Sequence, residues 1–352
     1  MYTAVHTILC ENPTEKMWAS YLYFENEPTT KQFLQSAYEK QEYKKANVLA
    51  FTNATKFIYY IKQARQYYQS AKQSDLLVRP LLLYYGMGSL LKAYILTRDP
   101  FYPATTKVLQ HGITSRKIKK NYYSLAEDEV RIQKDGLLPY FHSLLQKEPL
   151  YDKYQLSNLL ALLPELQPVY QRVYRKTSLL PVTLSPSLDF SQSCTVLYLS
   201  EEVLDYAHLT YNSFIYYINR YNKGRGSFSA LNADIPSGII QLEWHHPTCT
   251  NVKENGNGFE NELFSSNYKG EFFYNISTDK NYMVNEIEIH YMVMYIISML
   301  CRYETEKWGE IVFSFTSEDM YVIQEFLTIS TRKFPNIIYD LLLGKRHIFQ
   351  IT

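Results

Sequence analysis

The chain is poor in cysteine. Cys10, Cys194, Cys249 and Cys301 lie far apart in 352 residues and form no CxxC pair. Such sparse, unpatterned use excludes a disulfide framework and suits a reducing cytosol, where the protein is expected to reside. An excess of charge is also missing: Lys+Arg total 36 and Asp+Glu 35, a formal net charge of +1. Any binding of phosphate or nucleic acid must then come from a local patch and not from a global field. The N-terminus, MYTAVHTILCENPTEKMW, has no basic stretch followed by a long apolar run, so no signal peptide is expected. The longest charge-free apolar runs fall short of the roughly 20 residues that cross a bilayer, or carry glycine and several tyrosines, so no membrane span is expected. The motifs GxGxxG, GxxxxGK(S/T), GxSxG and HExxH are all absent, which removes the familiar signatures of dinucleotide folds, phosphate loops, serine hydrolases and zinc proteases. The loop Lys223-Gly224-Arg225-Gly226 can bind an anion but lacks the strand-to-helix setting of a phosphate loop.

Tyrosine, by contrast, is abundant: 34 Tyr against 18 Phe and 3 Trp. A Tyr ring packs like Phe while its hydroxyl needs a partner. The excess reads either as a core whose rim is hydrogen-bonded through phenols or as stacking platforms for bases.

The chain is organised around Pro80–Thr97, PLLLYYGMGSLLKAYILT, whose single charge is Lys92. This run is long enough for about five turns of helix and apolar on nearly every side, the mark of a buried central helix. Gly86, Ser89 and Ala93 share a face with Tyr85 and predict close packing or a local bend. Ser74 and Asp75 offer caps, and Pro80 falls in the first turn, where its missing N–H is harmless. A second such helix is predicted over Glu286–Tyr303, EIEIHYMVMYIISMLCRY.

Before the central helix, residues 1 to about 28 read as an irregular lead-in. Thr29 or Thr30 can cap a helix to about Gln41, and Lys44–Ala71 continues as helix on an apolar stripe of Phe51, Ala54, Ile58, Ile61 and Ala64. After it, a short helix over Ala104–Gln110 stops at His111-Gly112, Glu129–Gln133 reads as a strand, and Leu137–Leu145 and Leu156–Leu166 as helices. Prolines 164, 168, 181 and 186 make 176–192 the expected seam. Beyond it come strands at Thr195–Leu199, Gly238–Trp244 and Glu271–Ile276 and a helix from Glu201 to about Tyr221. The end is expected to hold one helix over Ser317–Thr331 and another over FPNIIYDLLLG. The expected fold is mainly α with a small β component, a helical bundle around two buried apolar helices. Residues 29–175 form the bundle, and 190–345 form an α+β region packing on it.

Five places can carry chemistry. Arg116, Lys117, Lys119 and Lys120, followed by Tyr122 and Tyr123, are the one dense basic cluster; they read as phosphate contacts with an aromatic beside them, or as a solvated loop. His111 can act as an acid, a base or a phosphate contact, or simply pack at its turn. Lys92 is a functional candidate if buried, or snorkels to the surface. Arg302, with Glu304, Glu306 and Trp308 following, reads preferentially as half of a structural ion pair and alternatively as a ligand clamp. His245, His246 and Cys249 bring three metal-ligand types together, but zinc wants more ligands than these and no second cluster supplies them, so no metal and no cofactor is expected.

LLLYYGMGSLLKAYILTRDPFYP, LQHGITSRKIKK, EDEVRIQKDGL and HYMVMYIISMLCRYETEKWGEIV make the chain resemble the YaaC-like family of Firmicutes proteins, in the same order over about 30–345. The resemblance implies a cytoplasmic bacterial protein and brings no catalytic residues with it. A weaker likeness is to HEPN-type helical bundles, several of which cut RNA with an Arg followed four to six residues on by a His. No such pair occurs here, since Arg98 is far from His111 and Arg346 directly precedes His347. The residues therefore favour a non-catalytic regulatory protein that binds a nucleotide or nucleic acid through Lys92, His111, Arg116, Lys117, Lys119, Lys120 and Arg302. The alternatives are a nuclease or nucleotide hydrolase using His111 with Arg116 or Glu304, and an interaction scaffold working as a homodimer through tyrosine-rich faces.

Overall fold

The computed structural model describes residues 5–116, 124–145, 150–185, 194–221, 226–231, 238–245, 263–276, 284–313 and 318–352. The fold is mainly α with a small β component. The chain begins with β1 (Val5–Cys10), α1 (Pro13–Tyr21), α2 (Glu27–Glu39), α3 (Ala46–Gln73) and α4 (Arg79–Arg98). It continues through β2 (Ile113–Arg116), β3 (Glu129–Ile132), α5 (Leu137–Leu145), β4 (Lys153–Gln155), α6 (Leu156–Ala161) and α7 (Gln167–Tyr174). Next come β5 (Leu179–Ser185), β6 (Cys194–Ser200), α8 (Glu202–Ala207), α9 (Tyr211–Tyr221), β7 (Ser227–Ala230), β8 (Ile239–His245), β9 (Phe264–Ser266) and β10 (Phe272–Asn275). The chain closes with α10 (Glu286–Tyr303), α11 (Thr305–Phe313), α12 (Asp319–Leu343) and β11 (Arg346–Ile351). Among the described residues no helix is long and apolar enough to cross a membrane.

Two compact units result, and each is discontinuous. The helical unit takes Leu9–Leu160, Ile287–Leu342 and the last two residues; the sheet unit takes the start of the chain to Ile8, Ala161–Glu286 and Leu343–Gln350. The units part at these points, and within the expected seam residues 179–185 are strand β5. The physical reason is α10. Every side chain from Ile287 to Ser298 is buried, so this helix can only be stable inside a helical core, and its Tyr291 hydroxyl meets that of Tyr84 on α4 at 2.9 Å.

In the helical unit, the expected lead-in is in fact structured. Asn12 caps α1 by accepting from the Glu15 N–H at 3.2 Å, with Pro13 at the first helical position. Asn26, not Thr29 or Thr30, caps α2; Thr30 is buried and donates to the Phe24 carbonyl instead. On α3 the core face is Ala50, Ala54, Phe57, Ile61, Ala64 and Tyr68, while Phe51, expected on the stripe, is 68% exposed. Gly86 explains how closely α4 lies on α3: a Cβ there would sit 2.7 Å from the Tyr68 ring. Several phenols serve the core rim. Tyr38 donates to the Leu96 carbonyl at 2.9 Å and Tyr21 to that of Pro335 at 2.6 Å. Pro335 lies inside α12, which is one helix where two were expected; buried Phe334 and Ile338 hold it through the proline. Strands β2, β3 and β4 form a small antiparallel sheet in that order.

The sheet unit is built on a six-stranded sheet of order β7-β8-β6-β5-β10-β9. Its core gathers Val182, Leu197, Leu199, Leu242 and Trp244 with Phe214 and Ile218 of α9. Pro181 lies opposite Phe273 of β10, just before the pairing with β6 begins at Val182, a position where a missing N–H is tolerated. The helix expected from 201 to 221 breaks in two around His208, whose φ is +52°. A separate two-stranded sheet pairs β1 with β11, and His6 stacks on His347 with ring centroids 5.6 Å apart.

Candidate functional site

In the helical unit three segments bring phenols and cations together. Tyr84 projects from α4. Tyr291, Tyr295 and Arg302 follow one another along α10 at spacings of four and seven residues, which puts them on one stripe of the helix. His111 stands on the turn into β2. That turn is tightly held. The Gln110 and His111 carbonyls accept from the Leu137 and Leu138 N–H groups at 2.7 and 3.3 Å, using donors that a helix start leaves free. Gly112 has φ +79°, and a Cβ there would lie 2.3 Å from Pro139 and 3.1 Å from Gly136, so only glycine fits.

The Tyr84 hydroxyl lies 2.8 Å from His111 Nδ1 and 2.9 Å from the Tyr291 hydroxyl. Tyr295 closes the group, with its ring centroid 5.7 Å from those of both Tyr84 and His111. The Arg302 guanidinium stands over Tyr84 at 5.9 Å and Tyr303 at 5.1 Å. Burial pushes the Tyr84, Tyr291 and Tyr295 phenols up, so all three stay neutral. His111 is pulled below its ordinary range, first by burial, then by Arg302, then by Lys92. The His111 Nδ1, the Tyr84 hydroxyl and the Tyr291 hydroxyl thus form one hydrogen-bonded chain.

Lys92 and Arg302 thus each act electrostatically on His111. Lys92 is half-buried, and burial lowers its pKa; among the described residues no hydrogen bond or ion pair holds its amine. Arg302 corrects the expectation of a structural ion pair. It donates to the Ser298 carbonyl and to Met299 Sδ, and among the described residues it meets no carboxylate. Glu304 pairs with Lys307 instead, at 3.3 Å. Trp308 is buried and donates to the Leu77 carbonyl at 2.9 Å, anchoring α11 below α4. Arg116 is exposed at the end of β2, opposite Glu129 in the ladder, and no contact among the described residues ties it to His111. Lys117, Lys119, Lys120, Tyr122 and Tyr123 lie outside the described residues, as do His246, Cys249 and the 223–225 loop. Tyr84, Tyr291 and Tyr295 were not singled out from the sequence. Their signal was the Tyr–Tyr–Arg spacing on α10, hidden among so many tyrosines.

The fold is that of a mainly helical protein, and in its helical unit Tyr84, Tyr291 and Tyr295 gather with His111 and Arg302. The chain belongs to the YaaC-like family, whose model, YaaC-like Protein, matches residues 22–342. No curated protein and no solved structure matches it.

Proposed function

We propose that the helical unit is a non-catalytic, regulatory binding module for a phosphate-bearing ligand with an aromatic base, a nucleotide or a nucleic-acid strand, held by Lys92, His111 and Arg302. The observation that carries this reading is an unbalanced charge: both charges that act on His111 are positive, and neither the Lys92 amine nor the Arg302 guanidinium has a carboxylate partner among the described residues. Half-buried cations without counter-charge are poorly placed for stability and well placed to grip a phosphate through charge-assisted hydrogen bonds. Tyr303, 68% exposed and already facing the guanidinium, offers a stacking surface for a base. A hydrolase or nuclease needs a second acid or base beside His111; Glu304, the expected partner, is engaged with Lys307, which favours binding over cleavage.

The test is calorimetric titration of the full chain with ADP and with a short single-stranded RNA, at two salt concentrations. Arg302→Gln is expected to weaken both ligands about tenfold or more and to flatten the salt dependence. Arg116→Ala is expected to weaken RNA alone, because only a strand long enough to leave the cluster meets the basic run. Equal affinity in wild type and Arg302→Gln, or no binding of either ligand, sinks the reading.

A further inference from the structure

The sheet unit carries a second constellation, built by strand register alone. Glu243 and His245 alternate on β8 and so share one face of the sheet. Cys194, on β6, lies directly opposite His245 in the ladder, and Val196 opposite Glu243. On the other flank Ser229 of β7 lies opposite Glu243. The Cys194 Sγ is 3.0 Å from Glu243 Oε1, and His245 Nε2 is 3.2 Å from Glu243 Oε2. One sulfur, one carboxylate oxygen and one imidazole nitrogen all fall within 4.8 Å of one another.

These separations have a chemical meaning. Zinc binds thiolate at about 2.3 Å and imidazole or carboxylate at about 2.0–2.1 Å, so neighbouring ligand atoms of a tetrahedral site lie about 3.3–3.6 Å apart. The observed pairs at 3.0 and 3.2 Å already have that scale. We infer that Cys194, Glu243 and His245 form a binding site for a zinc-class divalent cation, with the fourth position open to water. Three protein ligands with one position free are the pattern of exchangeable or catalytic zinc, whereas structural zinc closes all four. A mixed sulfur, nitrogen and oxygen set suits zinc better than magnesium or calcium, which take oxygen. The imidazole is 48% exposed and the carboxylate 31%, so a cation can enter from solvent. Ser229 Oγ lies 3.4 Å from Glu243 Oε2 and 3.2 Å from His245 Nε2, close enough to orient the carboxylate in the way outer hydrogen bonds orient metal ligands.

The ligand set differs from the one weighed in the sequence. His245 is shared, but its partners come from across the ladder and from two residues upstream, not from 246–249. Cys194 precedes His245 by about fifty residues, and no spacing rule joins them before the register of β6 and β8 is known.

The full chain, stripped with EDTA and desalted, is titrated with Co²⁺ and then with Zn²⁺. One Co²⁺ per chain is expected, with a thiolate-to-cobalt charge-transfer absorption that Zn²⁺ removes by displacement. Cys194→Ser should abolish the charge-transfer band. Glu243→Gln and His245→Gln should each lower the affinity about tenfold or more, with an unchanged circular dichroism spectrum. Cys301→Ser, on the helical unit, should change nothing. No band in the wild type, or a band that survives Cys194→Ser, overturns the assignment. Where Cys194→Ser does not fold, the near-isosteric Glu243→Gln decides the matter: full Co²⁺ affinity in a folded Glu243→Gln chain overturns it equally.

Discussion

His111 and His142 lie in the same helical unit and have opposite surroundings. His142 is buried, and its Nδ1 meets the wholly buried Glu288 carboxylate at 2.7 Å. His111 is half-buried against Tyr84 and Tyr295, and the charges that reach it come from Arg302 and Lys92. The first histidine is matched within the fold. A buried polar group so matched is a tie between α5 and α10, and its loss takes away a partner of the buried carboxylate. The second is mismatched, and the fold leaves it so. The two histidines differ in the sign of the neighbouring charge more than in the depth of burial.

Breaking the matched side has the largest effect. Glu288→Ala is expected to lower unfolding free energy by about 3 kcal/mol, measured by urea denaturation, because it removes the buried ion-pair partner of His142 and leaves space in the core. A change below about 0.5 kcal/mol would remove His142–Glu288 from the structural column. Gly112→Ala comes next, at about 2 kcal/mol. It puts a methyl group into Pro139 and forces φ +79° on a residue with a side chain, so it should displace His111 from Tyr84 while leaving the His142 resonances in place. Intact His111 shifts in that variant would show that the turn does not hold the imidazole.

The smallest effects sharpen the mismatched side. Arg302→Gln should leave stability within about 0.5 kcal/mol of wild type but raise the pKa of His111, followed by NMR, because a cation that opposes imidazole protonation has gone. Lys92→Met should raise it less, since Arg302 acts on the ring more strongly than Lys92. The sign for stability follows. The folded pKa lies below the ordinary value near 6.5, so on acidification the unfolded chain takes up its proton first. Stability contributed by His111 is therefore present above about 6.5 and is lost as pH falls toward the folded pKa. Arg302→Gln should narrow that loss. An unmoved His111 titration in both variants would mean that neither cation faces the ring.

Much of the helical unit was legible in its residues. Helix α10 matches its sequence reading from end to end, Glu286 to Tyr303, because thirteen residues without a fixed charge can only be a buried helix. Helix α4 differs by one residue at each end. What escaped had weaker local cause. ITSR and KYQ, the strands β2 and β4, are short and polar and exist because EVRI of β3 lies between them. The break expected before Pro335 is overridden by burial of the surrounding turns. Asn12-Pro13 carried a cap-and-proline start for α1 in plain view. Lys92, His111 and Arg302 stood out in the sequence as lone polar groups beside apolar helices, and Lys92 and Arg302 both act electrostatically on His111. The tyrosines that wall them could not be chosen from so many, and Cys194 could not be joined to His245 without a strand register.

The pairing of β1 with β11 has a consequence in time. Residues 5–10 leave the ribosome long before their partner, 346–351, which is more than three hundred residues away. At about 5–20 residues per second, β1 waits for tens of seconds with an open edge before its ladder can form. The β1–β11 ladder is therefore expected to close only after the helices and strands between them have been made.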